Sequence, residues 1–460
     1  MKNASSASPF DLKNIRYFIA FRVFFNSRFY YPVFTILFLD FGLTIEQFAL
    51  LNVAWAATIV VLEVPSGAMA DVIGRRRLLV LTGTIMVFEI ALLCFAPKGN
   101  ITLLFYIFLI NRILSGAAEA AASGADEALA YDTLKEQGDE KDWGRVLEKQ
   151  MRMQSLTRII AMSMGAAVYD PDLLNRIAAW LGFDVRFSQS VTLRFPLFLT
   201  LAMAIMTLFT TLKMKEVEGK TVSSEETMEA PKSSIVQAFR TTLQAGAWII
   251  RTPFALMLIA GGVMFDHVIR MLGTLNSQYY RLIDLPEASF GLIGSGLAVL
   301  GLFIPRIALR FANEHSPLFN FLLMSAATLV GLIGVTFMIP IYGVFIIALL
   351  FCVIHLNSFF ISHYLNRIAD SKQRATVLSF KGLSMNLAYG FIGVLYSLLI
   401  AAKRSAVFQK EPDVSGQILE RLVFIKALSW FPGYFVLMFL LLVAFGVWIL
   451  RRSSEHRRIG

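Results

Sequence analysis

The sequence predicts an all-α membrane protein of twelve transmembrane helices, arranged as two pseudo-symmetric six-helix bundles. Three observations lead to this fold class. The 460 residues are 57% apolar and only 16% charged, whereas a soluble domain usually carries about 25% charged residues. The apolar residues form a dozen runs, each long enough to cross a bilayer at roughly 20 residues per span. The one long hydrophilic stretch, residues 216–234, separates six of these runs from the other six.

The predicted spans follow one another with short polar connections. They cover residues 16–39, 45–70, 77–96, 101–131, 146–169, 192–213, 253–282, 287–311, 317–339, 341–366, 373–402 and 424–450. We expect an N-terminal bundle at residues 1–213 and a C-terminal bundle at residues 251–460. A cytoplasmic linker at residues 214–250 joins them and ends in an amphipathic helix on the inner leaflet. The loop at residues 170–191 is expected to hold a short amphipathic helix on the outer surface.

Basic residues are distributed unevenly between the two sets of loops. With an even number of spans both termini lie on one side, and the loops of that side carry most of the basic residues, Arg75, Arg76 and Arg77 among them. The opposite loops hold far fewer, apart from a local cluster between Lys403 and Lys426. Because basic loops stay in the cytoplasm, we expect a multi-pass protein of the inner membrane with both termini in the cytoplasm.

Several other classes of protein are excluded by what the sequence lacks. The net charge of +10 does not indicate nucleic-acid binding, because the basic residues lie at span ends and not on one face. Cys94 and Cys352 lie far apart in apolar runs, so neither a disulfide nor a metal site is predicted. The sequence has no G-x-x-x-x-G-K-S/T and no H-E-x-x-H motif, which argues against an ATP-driven pump and a metalloprotease. We expect no enzyme activity and no cofactor, and a monomer in the lipid bilayer that binds a small-molecule substrate.

Ionisable residues within the spans are confined to a subset of them. Spans six, nine and twelve have almost none, and span three has only Glu89. The basic ones are Arg22, Arg28, Arg112, Arg158, Arg270 and Lys381. Unpaired at the bilayer centre, they would together cost roughly 15–21 kcal/mol, more than the typical stability of a protein. They must therefore face partners or water, so the uncharged spans face lipid and the others surround a polar interior.

A glycine-rich basic segment follows span two. It reads Gly67-Ala68-Met69-Ala70-Asp71-Val72-Ile73-Gly74-Arg75-Arg76-Arg77. Gly67 allows close helix contact and Gly74 permits a positive φ. The segment resembles the loop signature G-x-x-x-D-x-x-G-R-R/K of the major facilitator superfamily. The resemblance implies that Asp71 caps the N-terminus of span eleven and that this contact latches one access state of a transporter.

Span four carries a second segment that is similar to this superfamily. Arg112-Ile113-Leu114-Ser115-Gly116 resembles its R-x-x-x-G signature, in which the arginine is linked to proton coupling. Residues 63–66, 123–132 and 374–379 look like segments of bacterial drug and metabolite transporters. The resemblance covers nearly the whole chain and implies the fold of the major facilitator superfamily. The gating residues that it predicts on the cytoplasmic side are Gly67, Asp71, Gly74, Arg75, Arg76 and Asp126.

Two features depart from the pattern of the superfamily. The C-terminal half has only a degenerate copy of the loop motif, around Gly301, Pro305 and Arg306. Span five carries Met164-Gly165-Ala166-Ala167, where drug–proton antiporters have a Gly-Pro signature. The second departure weakens the assignment to the antiporters without changing the expected fold.

Polar side chains at comparable depth in several spans define the predicted substrate and proton-coupling site. They are Arg22, Asn26, Arg112, Glu119, Arg158, Asp266, His267, Arg270, His355, Lys381 and Asn386. Transporters of this kind bind their substrates near the membrane midplane. We hypothesise that Asp266 or Glu119 accepts a proton and releases it when an arginine approaches. The alternative is that the pairs Asp266–Arg270 and Arg112–Glu119 only neutralise structural charges, and that the histidines are packed polar residues.

The side-chain chemistry of the interior indicates a class of substrate. Arginine binds carboxylate and phosphate groups well, and the 40 phenylalanines would suit an apolar body, so an anionic or zwitterionic amphiphile is expected. The predicted function is secondary active transport of such a solute by alternating access, with the proton gradient as energy source and export as the leading direction. Uptake of organic anions with protons, flipping of lysolipids, and a receptor or scaffold on the same fold remain alternatives.

Overall fold

The computed structural model describes residues 8–97, 99–123, 125–216, 240, 246–368, 374–410 and 416–459. Within these ranges the chain consists of helices and their connections, without β-strands. Most of the predicted linker and its amphipathic helix, residues 214–250, therefore lie outside the described residues.

The helices of the N-terminal half supply the first six predicted spans. They are α1 (Lys13–Asn26), α2 (Phe34–Phe41), α3 (Ile45–Ile73), α4 (Arg75–Cys94), α5 (Ile101–Ala122), α6 (Ala125–Gln137), α7 (Trp143–Tyr169), α8 (Pro171–Trp180), α9 (Gln189–Thr192) and α10 (Phe195–Lys213). The spans are α1 with α2, α3, α4, α5 with α6, α7, and α10. The short helix α8 is the one predicted in the loop at residues 170–191. Asp170 caps it, because its Oδ1 accepts hydrogen bonds from the backbone N of Asp172 (2.9 Å) and Leu173 (3.0 Å).

The helices of the C-terminal half supply the other six spans. They are α11 (Pro253–Thr274), α12 (Asn276–Leu282), α13 (Ser289–Glu314), α14 (Pro317–Thr336), α15 (Gly343–Ile368), α16 (Arg374–Lys410), α17 (Gly416–Leu428) and α18 (Trp430–Ile459). The spans are α11 with α12, α13, α14, α15, α16 and α18. One predicted boundary was wrong, because α16 continues past residue 402 to Lys410. Helical hydrogen bonding does not stop where the apolar run ends, since lysine and arginine are good helix formers. The last predicted span, residues 424–450, falls in the apolar helical stretch Ile418–Ile449, which includes the end of α17 and most of α18.

Three predicted spans are interrupted within their length. The first breaks between Asn26 and Phe34, the fourth between Ala122 and Ala125, and the seventh at Leu275. Polar residues accompany the breaks, such as Asn26 to Arg28 at the first and Asn276 to Gln278 at the third, but the prediction treated each span as one continuous helix. At the first break the backbone N of Phe29 donates to Thr200 Oγ1 at 3.0 Å. Such a bond replaces the helical hydrogen bond that is lost, as non-helical backbone at membrane depth requires.

Ten of the described helical stretches are long and apolar enough to cross a membrane. The two remaining spans of the twelve are the first and the fifth. The first is divided into helices of 14 and 8 residues, each too short by itself. The fifth, α7, is long enough but contains Lys149, Arg152 and Arg158. Helix length accounts for the first exception and charge for the second. Both spans can still cross the membrane when neighbouring helices surround them.

The chain divides into two compact units. Unit 1 comprises Met1–Leu43, Ala57–Phe239 and Pro286–Ser295, and unit 2 comprises Thr44–Ala56, Arg240–Leu285 and Gly296–Gly460. The helix α3 is therefore divided, because its first residues pack in unit 2 and the rest pack in unit 1.

Each unit has its own apolar core. In unit 1, Leu79 and Met86 of α4 and Ala204 of α10 are completely buried. In unit 2, Ile361 and Leu365 of α15 are packed with helices α11 and α16 at 1% and 0% exposure. These cores hold the helices that carry the polar side chains of each unit.

Gly165 on α7 allows a backbone contact with the interrupted first span. A Cβ atom at this position would lie 1.7 Å from the backbone O of Phe29, so a side chain would require the backbone to move. Gly291 at the start of α13 packs in the same way, with a Cβ position 2.1 Å from the backbone O of Met162. The glycine in the segment that replaces the Gly-Pro signature thus has a packing role.

Candidate functional site

Arg270 on α11 is the centre of a polar cluster in unit 2. Its Nε lies 3.3 Å from Oδ2 of Asp266, one helical turn earlier. Its Nη1 donates to Asn386 Oδ1 at 3.1 Å, and its Nη2 donates to the backbone O of Met385 at 2.8 Å. The guanidinium carbon lies 4.4 Å from the ring centroid of Tyr389. Three predicted site residues, on α11 and α16, are therefore in contact.

Two further predicted residues flank this cluster. Lys381 on α16 is half-buried. His267 is 2% exposed, with Nε2 2.9 Å from the hydroxyl of Tyr434 and Nδ1 2.5 Å from the backbone O of Val263. Because both ring nitrogens are engaged, His267 has the contacts of a packed polar residue.

A cavity of about 300 Å³ lies beside Arg270. Its walls come from α11, α12 and α15 and are mostly apolar, with Leu272 and Phe351 among them. Polar groups enter it from Arg270, Asn276 and His355. The Nδ1 of His355 is 2.9 Å from the backbone O of Phe351 and donates to it. Apolar walls with a few polar groups are typical of sites for small organic molecules.

A second charged cluster is fully buried in unit 1. Arg28 and Glu89 form an ion pair, with side chains only 3% and 0% exposed. The guanidinium carbon of Arg28 is 5.5 Å from the ring centroid of Phe25. Asn111 on α5 donates through Nδ2 to the backbone O of Glu89 at 2.8 Å. The sequence showed a lone carboxylate in span three and a basic residue in span one, but no signal that they meet, so neither was predicted as a site residue.

The expected Arg112–Glu119 pair does not form. Arg112 is buried, and its guanidinium carbon is 5.3 Å from the ring centroid of Phe34. Glu119 is exposed on α5 and makes no ion pair with any residue that the structure describes. Seven residues of helix separate the two Cα atoms by about 10 Å, which is too far for neighbours on a helix surface. Arg158 is likewise exposed on α7, without an ion pair among the described residues.

Arg22 on α1 binds two acidic residues at the start of α6. Its Nε is 2.6 Å from Asp126 Oδ2, and its Nη2 is 2.5 Å from Glu127 Oε1. Asn26 donates through Nδ2 to the backbone O of Arg22 at 2.8 Å. The helix break after Ala122 places both carboxylates in the first turn of α6, where the helix dipole favours negative charge. Arg22, predicted for the substrate site, and Asp126, predicted for gating, therefore belong to one cluster.

The arginines of the loop motif secure the end of α10. Gly74 has the positive φ expected from the sequence, at 95°. The backbone N atoms of Arg75 and Arg76 each donate to the carboxylate of Glu216 at 3.1 Å. The guanidinium of Arg76 donates in turn to the backbone O atoms of Leu212 (3.1 Å) and Met214 (2.7 Å).

The same loop is also tied to α6. The guanidinium of Arg75 pairs with Asp132 on that helix. The side chain of Asp71, which was predicted to cap span eleven, and the packing of Gly67 lie outside the described residues. The described part of the motif therefore joins the start of α4 to α6 and α10 within unit 1.

Replacing Glu216 with glutamine should destabilise the protein slightly. The carboxylate lies at the N-terminus of α4, where an anion contributes about 0.3–1 kcal/mol. We therefore expect a small fall in the thermal midpoint of the detergent-solubilised protein at low salt, which disappears at high salt. Glu314→Gln, which removes an exposed carboxylate paired with Arg310, is the control. A salt-independent effect in Glu216→Gln would contradict the capping role.

Taken together, the membrane-spanning helices and the arginine–carboxylate clusters are features of a multi-pass membrane protein. A sequence model of the Major Facilitator Superfamily matches residues 17–394. The chain belongs to this superfamily of transport proteins, which confirms the predicted family, the twelve-helix fold and a transporter in place of an enzyme.

Solved structures of the same fold cover nearly the whole chain. A bacterial homologue of the human lysosomal transporter Spinster has a TM-score of 0.69 at 15% identity, over 96% of this chain and 97% of that one. The nucleoside transporter NupG has a TM-score of 0.65 at 12% identity, over 94% and 98%. A D-xylose–proton symporter has a TM-score of 0.54 at 13% identity, over 92% and 97%. No curated protein sequence gives a significant match. Identities this low show the fold alone.

Proposed function

We propose that the protein is a proton-coupled secondary transporter of a small organic anion with an apolar body. It acts as a monomer by alternating access, in the inner membrane with both termini in the cytoplasm, and it uses the proton gradient without a cofactor. The observation that carries this proposal is the pairing of Asp266 with Arg270 beside a cavity with apolar walls.

Asp266 and an anionic substrate would compete for the guanidinium of Arg270. Protonation of Asp266 removes its charge and frees Arg270, which can then bind a carboxylate or phosphate group through two parallel hydrogen bonds. Leu272 and Phe351 on the cavity wall would hold the apolar part of the substrate. Its volume is at the lower end of the range for ligand pockets, which favours a small solute over a whole lysolipid.

The direction of transport depends on how proton and substrate are coupled. Export was the leading expectation from the sequence, and it requires the proton and the substrate to exclude each other. The Asp266–Arg270 pair favours the alternative, uptake of an anion together with a proton, because protonation of Asp266 frees Arg270 to bind the anion. Glu119, exposed and without an ion pair among the described residues, is the carboxylate available for an exchange mechanism.

Proteoliposomes with imposed pH gradients of either sign test this proposal. We expect at least one organic anion of a labelled panel to accumulate when the outside is acidic, and a protonophore to abolish the accumulation. Accumulation only with the opposite gradient would establish exchange and therefore export. A response restricted to organic cations would refute the role of Arg270, and indifference of every compound to pH would refute proton coupling.

A further inference from the structure

Arg404 near the end of α16 joins three helices through a cluster of ion pairs. Its Nη1 lies 2.6 Å from Oε1 of Glu420 on α17, and its Nη2 lies 3.0 Å from Oε2 of the same carboxylate. Its Nη2 also lies 2.6 Å from Oε2 of Glu46, in the first turn of α3. The three side chains are 20–23% exposed. One guanidinium thus serves two carboxylates, one through two bonds and the other through one.

Close packing continues the contact between α3 and α16. Ser397 Oγ is 3.4 Å from the backbone O of Glu46 and donates to it. A Cβ atom at Gly393 would lie 2.6 Å from Cγ2 of Val53, so the glycine leaves room for the α3 side chain. The start of α3 therefore lies along α16 within unit 2, whereas residues 57–73 of the same helix belong to unit 1.

We infer that Arg404, Glu46 and Glu420 form a latch that holds the start of α3 on α16 and opens during transport. The latch lies at the N-terminal end of α3, which is at the opposite end of this helix from the loop motif. If the units move, a helix that is divided between them must lose its contacts with one of them. The ion pair between Arg404 and Glu46 has a single bond and is therefore the weaker of the two pairs.

The arrangement of charges allows the latch to part without leaving a cation unpaired. When Glu46 leaves, Arg404 keeps its two bonds to Glu420, and the freed Glu46 is hydrated because it is already partly exposed. Glu420 thus competes with Glu46 for the same guanidinium. The inference rests on the proposed transport cycle, but cysteine labelling tests it without a known substrate, so its failure is distinct from failure of the transport proposal.

The rate at which a cysteine beside Glu46 is labelled measures the opening of the latch. Ser397→Cys, a position that is 6% exposed, is introduced with Cys94→Ala and Cys352→Ala, and the protein in nanodiscs is treated with a water-soluble maleimide. Arg404→Gln leaves two carboxylates facing each other, so we expect labelling at least about fivefold faster, the lower limit of typical coupling effects. Glu420→Gln removes the carboxylate that competes with Glu46 for Arg404. The pair between Arg404 and Glu46 should then be stronger, so labelling should become slower.

Further variants separate a latch from general loosening. The exchange Glu46→Arg with Arg404→Glu again gives one cation and two carboxylates and should restore slow labelling. Gly393→Val displaces α3 without altering charge and should accelerate labelling, with folding checked by size-exclusion chromatography. Arg145→Gln, which removes an exposed pair with Asp142, should leave the rate unchanged. Equal rates in the wild type and Arg404→Gln, or faster labelling in Glu420→Gln, would overturn the latch.

Discussion

Replacing Glu89 with leucine is expected to destabilise the protein by about 3–5 kcal/mol. Arg28 is 3% exposed and Glu89 is completely buried, so the substitution leaves a charged guanidinium in an apolar interior without its partner. Asn111 donates to the backbone O of residue 89, which leucine retains, but its neutral amide cannot compensate the charge of Arg28. Arg28→Met should have an effect of the same size, because it leaves the carboxylate of Glu89 buried without its cation.

The double variant Arg28→Met with Glu89→Leu distinguishes an ion pair from two independent sites. Because a buried ion pair contributes little beyond an apolar pair of similar volume, the double variant should be more stable than either single one. Thermal unfolding of the detergent-solubilised protein gives the coupling free energy through a double-mutant cycle. Glu127→Gln, which removes an exposed partner of Arg22, should cost no more than about 1 kcal/mol. Additive losses in the double variant would contradict the pairing.

The fold could be predicted because it depends on composition and local pattern. Runs of about 20 apolar residues are visible in any single sequence, and bilayer thickness fixes what they mean. The interruptions near Phe29 and Leu275 were not predicted, although polar residues lie beside both of them. Polar residues within a span are equally typical of an uninterrupted helix that lines a polar interior, and the first break depends on a distant hydrogen-bonding partner, Thr200. The end of α16 was misplaced for a related reason, since its polar last turns stay helical outside the apolar run.

The candidate site was predictable only where its contacts are local. Asp266 and Arg270 are four residues apart, so helical spacing alone suggested their pairing, and the structure contains it. Arg28 and Glu89 are 61 residues apart, and no sequence pattern connects them.

The structure also pairs residues that the sequence had assigned to different roles. Arg22 and Asp126 form one cluster because the fourth span breaks and begins a new helix at Ala125. The opposite case is Glu119, which shares a helix with Arg112 but lies two turns away from it. A shared helix face is therefore weaker evidence for contact than a separation of three or four residues.

Replacing Asp266 with asparagine should abolish accumulation driven by the pH gradient while leaving substrate binding intact. If one proton accompanies one anion, a gradient of one pH unit stores about 1.4 kcal/mol and supports roughly tenfold accumulation. Asparagine cannot take up the proton, so accumulation should fall to the equilibrium ratio. Exchange of labelled for unlabelled substrate should continue, because Arg270 remains and no longer has a charged competitor on its own helix.

The matched variants decide which carboxylate carries the proton. Glu119→Gln should behave like the wild type if Asp266 is the coupling residue, and like Asp266→Asn if Glu119 is. Asp142→Asn, which alters a carboxylate of unit 1 that pairs with Arg145, should retain full accumulation. Tenfold accumulation in both Asp266→Asn and Glu119→Gln would mean that these carboxylates only balance structural charge. Loss of exchange together with accumulation in Asp266→Asn would instead mean that Asp266 holds Arg270 in its binding position, because a residue that only carries the proton is not needed when no net proton movement occurs.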